Sequence, residues 1–159
     1  MKKVLVGKIV NTFGIKGELK VSTNFQYSEK VFKKGNIIDI NDDSYTITNV
    51  RYHQEHYLIT INELNNINLV LEYKGQDIYI NRDILNLKDD EYLLDELVNM
   101  NVYDNNELMG SVTEVINHQY NPLIKVNNEF YIPLKGEYII KIDIKNKQIT
   151  TQNTKELKL

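Results

Sequence analysis

The chain has 159 residues and a formal net charge of −3, contains no cysteine, alanine or tryptophan, and holds 20 Ile, 21 Asn and 11 Tyr. The missing thiols exclude disulfides, thiolate metal sites and cysteine nucleophiles, and no apolar run approaches the roughly 18 residues of a membrane-spanning helix. Alanine is the best helix former whereas Ile and Tyr favour a pleated surface, so the composition predicts a mainly β chain.

The start, Met1-Lys2-Lys3, is basic, but Lys8 interrupts the apolar residues behind it and no small-residue cleavage site follows, so a cytoplasmic protein is expected. Val4 to Val10 reads as the first strand. Thr12-Phe13-Gly14-Ile15-Lys16-Gly17 follows, with two glycines three apart marking a tight loop. Glu18 to Ser22 alternates polar and apolar residues as a half-buried strand does. Ser28 is placed to cap a short helical turn through Phe32. Strands are expected at Ile37–Ile40, Tyr45–Tyr52 and Tyr57–Ile61, joined through Asn41-Asp42-Asp43-Ser44 and His53-Gln54-Glu55-His56 as hairpins. Asn65 or Asn66 is a candidate cap for a short helix through Tyr73, with Gly75 just beyond its end. Ile78 to Ile80 completes the first unit.

Arg82 to Asp90 shows little periodicity, and the domain boundary is placed there: residues 1–84, a linker at 85–90, and residues 91–159. The second unit repeats the strand-and-turn style, with strands expected at Asn101–Asp104, Leu108–Asn117, Leu123–Val126, Glu129–Ile132, Tyr138–Ile144 and Gln148–Gln152. Asn105-Asn106, Asn127-Asn128 and Lys145-Asn146-Lys147 supply turns. Short strands at this spacing indicate barrels or sandwiches.

Charge is unevenly distributed. Residues 1–34 carry eight lysines against two glutamates, while residues 86–159 carry eight lysines against twelve acidic residues. A basic end can meet phosphate and an acidic end a basic protein, although an ordinary solvated surface has the same appearance.

Among the motifs, Gly14-Ile15-Lys16-Gly17 lacks the order of a P-loop, and its flanks read as strands rather than the helices of a KH-type clamp. Two readings stand: a glycine-shaped loop presenting Lys16, with Lys8 and Lys20, to RNA phosphate, or a plain turn at a barrel rim. His53, Glu55 and His56 are the one histidine cluster. They could serve a metal-assisted hydrolase or form a solvated hairpin tip, and zinc normally recruits three or four ligands in a different arrangement. No nucleophile elbow surrounds any serine, and Asp42-Asp43 and Asp89-Asp90 fall in turns or the linker. In Glu91-Tyr92-Leu93-Leu94-Asp95-Glu96-Leu97-Val98, apolar residues are flanked by acids, as suits either a protein-facing surface or packing between the two units.

Val6-Gly7-Lys8-Ile9-Val10-Asn11-Thr12-Phe13-Gly14-Ile15-Lys16-Gly17-Glu18-Leu19-Lys20-Val21 resembles the N-terminal signature of the ribosome maturation factor RimM family. Phe13 stands where that family commonly has histidine, and Lys16 where it has arginine. A second likeness runs from Glu91 through Val126: Tyr92 keeps the first of two aromatics, Leu93 replaces the second, and Asn99 stands in place of glycine. Val102-Tyr103-Asp104, Asn121-Pro122-Leu123-Ile124-Lys125-Val126 and Tyr131-Ile132-Pro133 continue it. The resemblance implies two small β-barrels in tandem, a translation-factor-like six-stranded barrel followed by a PRC-type barrel. It also implies a non-enzymatic, cofactor-free factor that binds the immature 30S head and its ribosomal protein nineteen during 16S rRNA processing. On that reading Lys8, Lys16 and Lys20 contact rRNA, Gly14 and Gly17 shape their loop, and Tyr92, Leu93, Asp95 and Leu97 face the ribosomal protein. A monomer away from any membrane is expected. A metal-assisted hydrolase and a nucleic-acid-binding barrel without a protein partner are the alternatives.

Overall fold

The computed structural model describes residues 2–118 and 120–158 and divides after Asn86 into two compact units. It is mainly β, as the composition predicts.

The first unit is a closed barrel of six antiparallel strands: β1 (Lys3–Phe13), β2 (Glu18–Ser22), β3 (Ile37–Ile40), β4 (Asp43–His53), β5 (His56–Ile61) and β6 (Asp77–Asn81), in the order β1-β2-β5-β4-β3-β6. Alternation drives it. Leu19 and Val21, Ile59 and Ile61, and Ile78 and Ile80 point inward and are fully buried, each gaining about 1.5–3 kcal/mol from leaving water. Closure depends on β1, which pairs with β6 through Lys3–Lys8 and with β2 through Lys8–Phe13. Bulges between Leu5 and Gly7 and between Ile9 and Asn11 bend it between its two partners. A short helix, α1 (Ser28–Val31), follows β2. The expected helix before Gly75 is two 3₁₀ turns, Ile67–Leu69 and Leu71–Tyr73, the first capped by Asn66 Oδ1 accepting from the Asn68 N–H at 2.9 Å.

The second unit is one six-stranded sheet in the order β10-β9-β8-β7-β12-β11, curled as a half-barrel. Its strands are β7 (Asn101–Asp104), β8 (Glu107–Ile116), β9 (Leu123–Val126), β10 (Phe130–Pro133), β11 (Ile139–Asp143) and β12 (Gln148–Thr151). All pairs are antiparallel except β7 with β12. Leu97, Met100, Val102, Val112, Ile124, Val126, Phe130, Ile132 and Ile149 form its core. A buried polar clamp ties the C-terminal 3₁₀ turn, Thr154–Lys158, to β7: Asp104 Oδ2 accepts from Thr154 Oγ1 at 2.6 Å and from the Thr154 N–H at 2.8 Å. Asn99, where the resembled family has glycine, holds φ of 72°, a left-handed conformation that asparagine tolerates better than most residues.

Candidate functional site

The candidate RNA-facing residues lie on the β1–β2 hairpin. Its register sets Lys8 opposite Ser22, Asn11 opposite Lys20 and Phe13 opposite Glu18. Side chains alternate along a strand, so Ser22, Lys20 and Glu18 share the face opposite buried Leu19 and Val21. Lys8, as the cross-strand partner of Ser22, joins Lys20 on that outer face. Two-residue steps of about 6.6 Å separate these positions along β2.

Lys16 sits beyond the strand ends, in a loop whose two glycines differ in purpose. Gly17 has φ of 85°, and a Cβ there would lie 2.1 Å from the Leu64 carbonyl oxygen. The backbones meet where the Ile67 N–H donates to the Ile15 carbonyl at 3.0 Å, pinning the loop against the start of the first 3₁₀ turn. Gly14, φ 64°, faces open space. The loop therefore rests on one side and projects Ile15, 76% exposed, and Lys16 into solvent.

Two carboxylates border this basic row: Asp77 on β6 lies opposite Lys8 in register, and Glu18 lies within the row, where the fold pairs it. Arg51, on β4, donates from Nε and Nη2 to the two oxygens of Glu18. Those hydrogen bonds, aided by the nearby positive field of Arg51, His53 and Lys16, hold the Glu18 carboxyl below its ordinary range. The Arg51 guanidinium also lies over the Phe13 ring, 5.5 Å from its centroid, and His53 packs edge-on against that ring at 5.3 Å. Phe13 is thus a hydrophobic floor for a cationic side chain in the position where the resembled family commonly has histidine. Arg51 was not among the candidates; the available signal was its placement two residues from His53 on one face of a strand.

His53 is accordingly engaged with Phe13, Gln54 and Glu55 form a turn with φ of 47° and 66°, and His56 Nδ1 lies 3.0 Å from the Gln54 carbonyl. Among the described residues no group of three or more His, Asp or Glu side chains is arranged to hold a metal ion.

In the second unit, the candidate protein-facing residues surround the 3₁₀ turn Leu94–Leu97, whose start is fixed by the Leu93 N–H donating to Glu96 Oε1 at 3.0 Å. Leu97 is fully buried in the core and Leu93 retains 4% exposure. Tyr92 is half-buried, its ring against the core, and Asp95 is exposed. Of the four candidates only Tyr92 and Asp95 offer accessible surface; around them Leu94 and Glu96 are half-buried and Val98 and Asn99 are exposed.

Comparison with known proteins gives a concordant result over both units. Residues 4–85 match the family model described as the RimM N-terminal domain, and residues 94–157 match the RimM PRC barrel domain. A protein named ribosome maturation factor RimM from Staphylococcus haemolyticus is 33% identical over 156 residues, covering 92% of this chain and 93% of that one. The protein of that name from Staphylococcus aureus strain MRSA252 has the same identity and coverage. Among solved structures, a RimM protein of Pseudomonas aeruginosa is 20% identical with a TM-score of 0.47, covering 95% of this chain and 97% of that one. The N-terminal domain of RimM from Thermus thermophilus is 14% identical with a TM-score of 0.46, covering 54% and 95%.

Proposed function

Since the chain belongs to the RimM family, we propose that it is a ribosome maturation factor, a cytoplasmic, non-enzymatic monomer that binds the immature 30S head and assists 16S rRNA processing. The observation that carries this reading is the match to both family domains, in order, over residues 4–85 and 94–157. The name of the relatives, ribosome maturation factor, supports this process.

The mechanism is differential binding. A factor that holds one arrangement of head rRNA and protein more tightly than its alternatives shifts the population of particles toward that arrangement. Lys8, Lys16 and Lys20 act on phosphate, contributing salt-dependent affinity with little base selectivity. Gly14 and Gly17 shape the loop that carries Lys16. In the second unit Tyr92 and Asp95 meet the ribosomal protein numbered nineteen, an aromatic anchor beside a carboxylate that attracts a basic surface. Leu93 and Leu97 support them from within.

Sedimentation of the full chain with head-deficient small-subunit precursors and with mature subunits tests this reading. Preferential migration with the precursors at physiological salt is expected. Equal distribution between the two, or none with either, contradicts it.

A further inference from the structure

Between Arg51 and His53, which turn toward Phe13, Tyr52 points to the other face of β4. There it stands opposite Tyr57 in register, with ring centroids 5.0 Å apart and planes at 72°. The Tyr57 ring in turn lies 4.9 Å from that of Phe32 at an interplanar angle of 30°, and its hydroxyl is 3.3 Å from Ser28 Oγ at the start of α1. The three rings form a ladder that begins at Phe32, 3% exposed, and ends at Tyr52, 64% exposed. A large aromatic ring is thus held in solvent by partners that are themselves fixed, with little ordering left to lose on contact.

The chain around the buried end of the ladder carries three lysines, Lys30, Lys33 and Lys34, against one carboxylate, Glu29. Lys33 and Lys34 are exposed and directly follow Phe32, while Lys30 lies over the Tyr27 ring at 5.8 Å. Between the exposed Ile15 and Ile37, residues 16–36 expose no large hydrophobic side chain, so this stretch itself offers no apolar centre of the kind a protein interface needs. An exposed aromatic ring at one end of a fixed ladder, with lysines following its other end, has the chemistry of a single-stranded nucleic-acid platform, where bases stack and lysines meet phosphate.

We propose that Tyr52 is a stacking platform for an unpaired RNA base, with Lys33 and Lys34 contacting the phosphates beside it. This rests on the reading of the chain as an rRNA-binding maturation factor, and it specifies the form of RNA: an A-form duplex keeps its base faces stacked internally, whereas loops and bulges expose them. The site lies on the face of β4 opposite the Phe13 cluster, and uses none of Lys8, Lys16 or Lys20.

The test is fluorescence anisotropy with the full chain and a labelled 12-nucleotide RNA of mixed sequence, single-stranded or as the corresponding duplex, across a salt series. Wild type is expected to prefer the single strand. Tyr52→Ala and Tyr52→Leu should each weaken that binding about tenfold, within the range reported for loss of one stacked base, at unchanged salt slope, and Tyr52→Phe should keep it. Lys33→Ala with Lys34→Ala should reduce the slope by about 1.4. Tyr52 is mostly exposed, and thermal unfolding of each variant verifies the fold. Equal affinity for duplex, binding by Tyr52→Ala within about twofold of wild type, or recovery by Tyr52→Leu overturns the proposal. So does a Tyr52→Ala defect confined to binding a purified head protein. Sedimentation of wild type with precursor particles, from the same preparation, separates the two claims: if it persists, only the stacking site is rejected, and if it fails, the maturation-factor reading is rejected too.

Discussion

Arg51 and Glu18, 33 residues apart in the chain, are joined by two side-by-side hydrogen bonds, Nε to Oε2 at 2.8 Å and Nη2 to Oε1 at 2.9 Å. This pair connects β4 to the start of β2 and offsets the negative charge that lies within the outer row of the hairpin, while Asp77 on β6 remains opposite Lys8. Arginine's planar fork matches a carboxylate in a way lysine does not.

The pair has a pH signature. Hydrogen bonding from Arg51 is the largest influence on Glu18 and lowers its carboxyl pKa below the ordinary value near 4.5. A group whose pKa is depressed on folding stabilises the protein above its unfolded value, and that contribution disappears as pH falls through the folded one. Arg51→Gln should therefore move Glu18 back toward its ordinary value, as followed by carboxyl-carbon NMR. The difference in unfolding midpoint between wild type and variant should be present at neutral pH and shrink as the solution is acidified into the carboxylate range. An unchanged Glu18 titration in Arg51→Gln would contradict this assignment.

The two loop glycines should respond differently to alanine. At Gly17 both a left-handed φ and a backbone oxygen oppose a Cβ, so Gly17→Ala is expected to cost at least about 2 kcal/mol. At Gly14 only the conformation opposes it, and about 1 kcal/mol is expected. Denaturant unfolding measures both, and similar losses at the two positions would refute the packing role given to Gly17.

Removing the lysine row should change electrostatics rather than selectivity. For a single-stranded segment of 16S rRNA, each of Lys8→Ala, Lys16→Ala and Lys20→Ala is expected to lower the slope of log affinity against log salt by about 0.7, with affinity falling uniformly across sequences. Isothermal titration over a salt series reads this directly. A slope that the triple variant leaves unaltered would remove these residues from the RNA-facing surface.

Strand types and most turns were legible because local chemistry decides them. Asn105-Asn106 and Asn127-Asn128 sit at left-handed φ values as turn asparagines do, and Asn66 caps its 3₁₀ turn. Gln54 and Glu55 occupy the same conformation without the usual residue types, so only the strands on either side located that turn. The long-range pairings were not legible. The bulges that let β1 pair with both β2 and β6, the parallel contact of β12 with β7 and the Asp104–Thr154 clamp join residues far apart in the chain. For the same reason the sequence named Lys8, Lys16 and Lys20 but missed Arg51, whose importance comes from a strand 33 residues away. Leu93 and Leu97 looked as available as Tyr92 in an acidic, apolar stretch, and only the folded turn separates the buried pair from the accessible residues.

That separation changes which variant is informative. Leu93 is nearly buried, so Leu93→Ala should lose about 2–5 kcal/mol of stability and confuse any binding measurement. Tyr92→Ala and Asp95→Lys test the surface more cleanly. Asp95→Lys should slow association with the ribosomal protein numbered nineteen and weaken its salt dependence, as a charge change at an interface rim does. Stopped-flow association kinetics would record this, and unchanged kinetics at low salt would exclude Asp95 from the interface.

The most direct test places a photo-crosslinking amino acid at position 16 or at position 95 of the full chain and maps the products on head-deficient small-subunit precursors. Crosslinks from position 16 to 16S rRNA of the head and from position 95 to the ribosomal protein numbered nineteen are the predicted result. Products no more abundant on precursors than on mature subunits, or directed outside the head, would contradict the account.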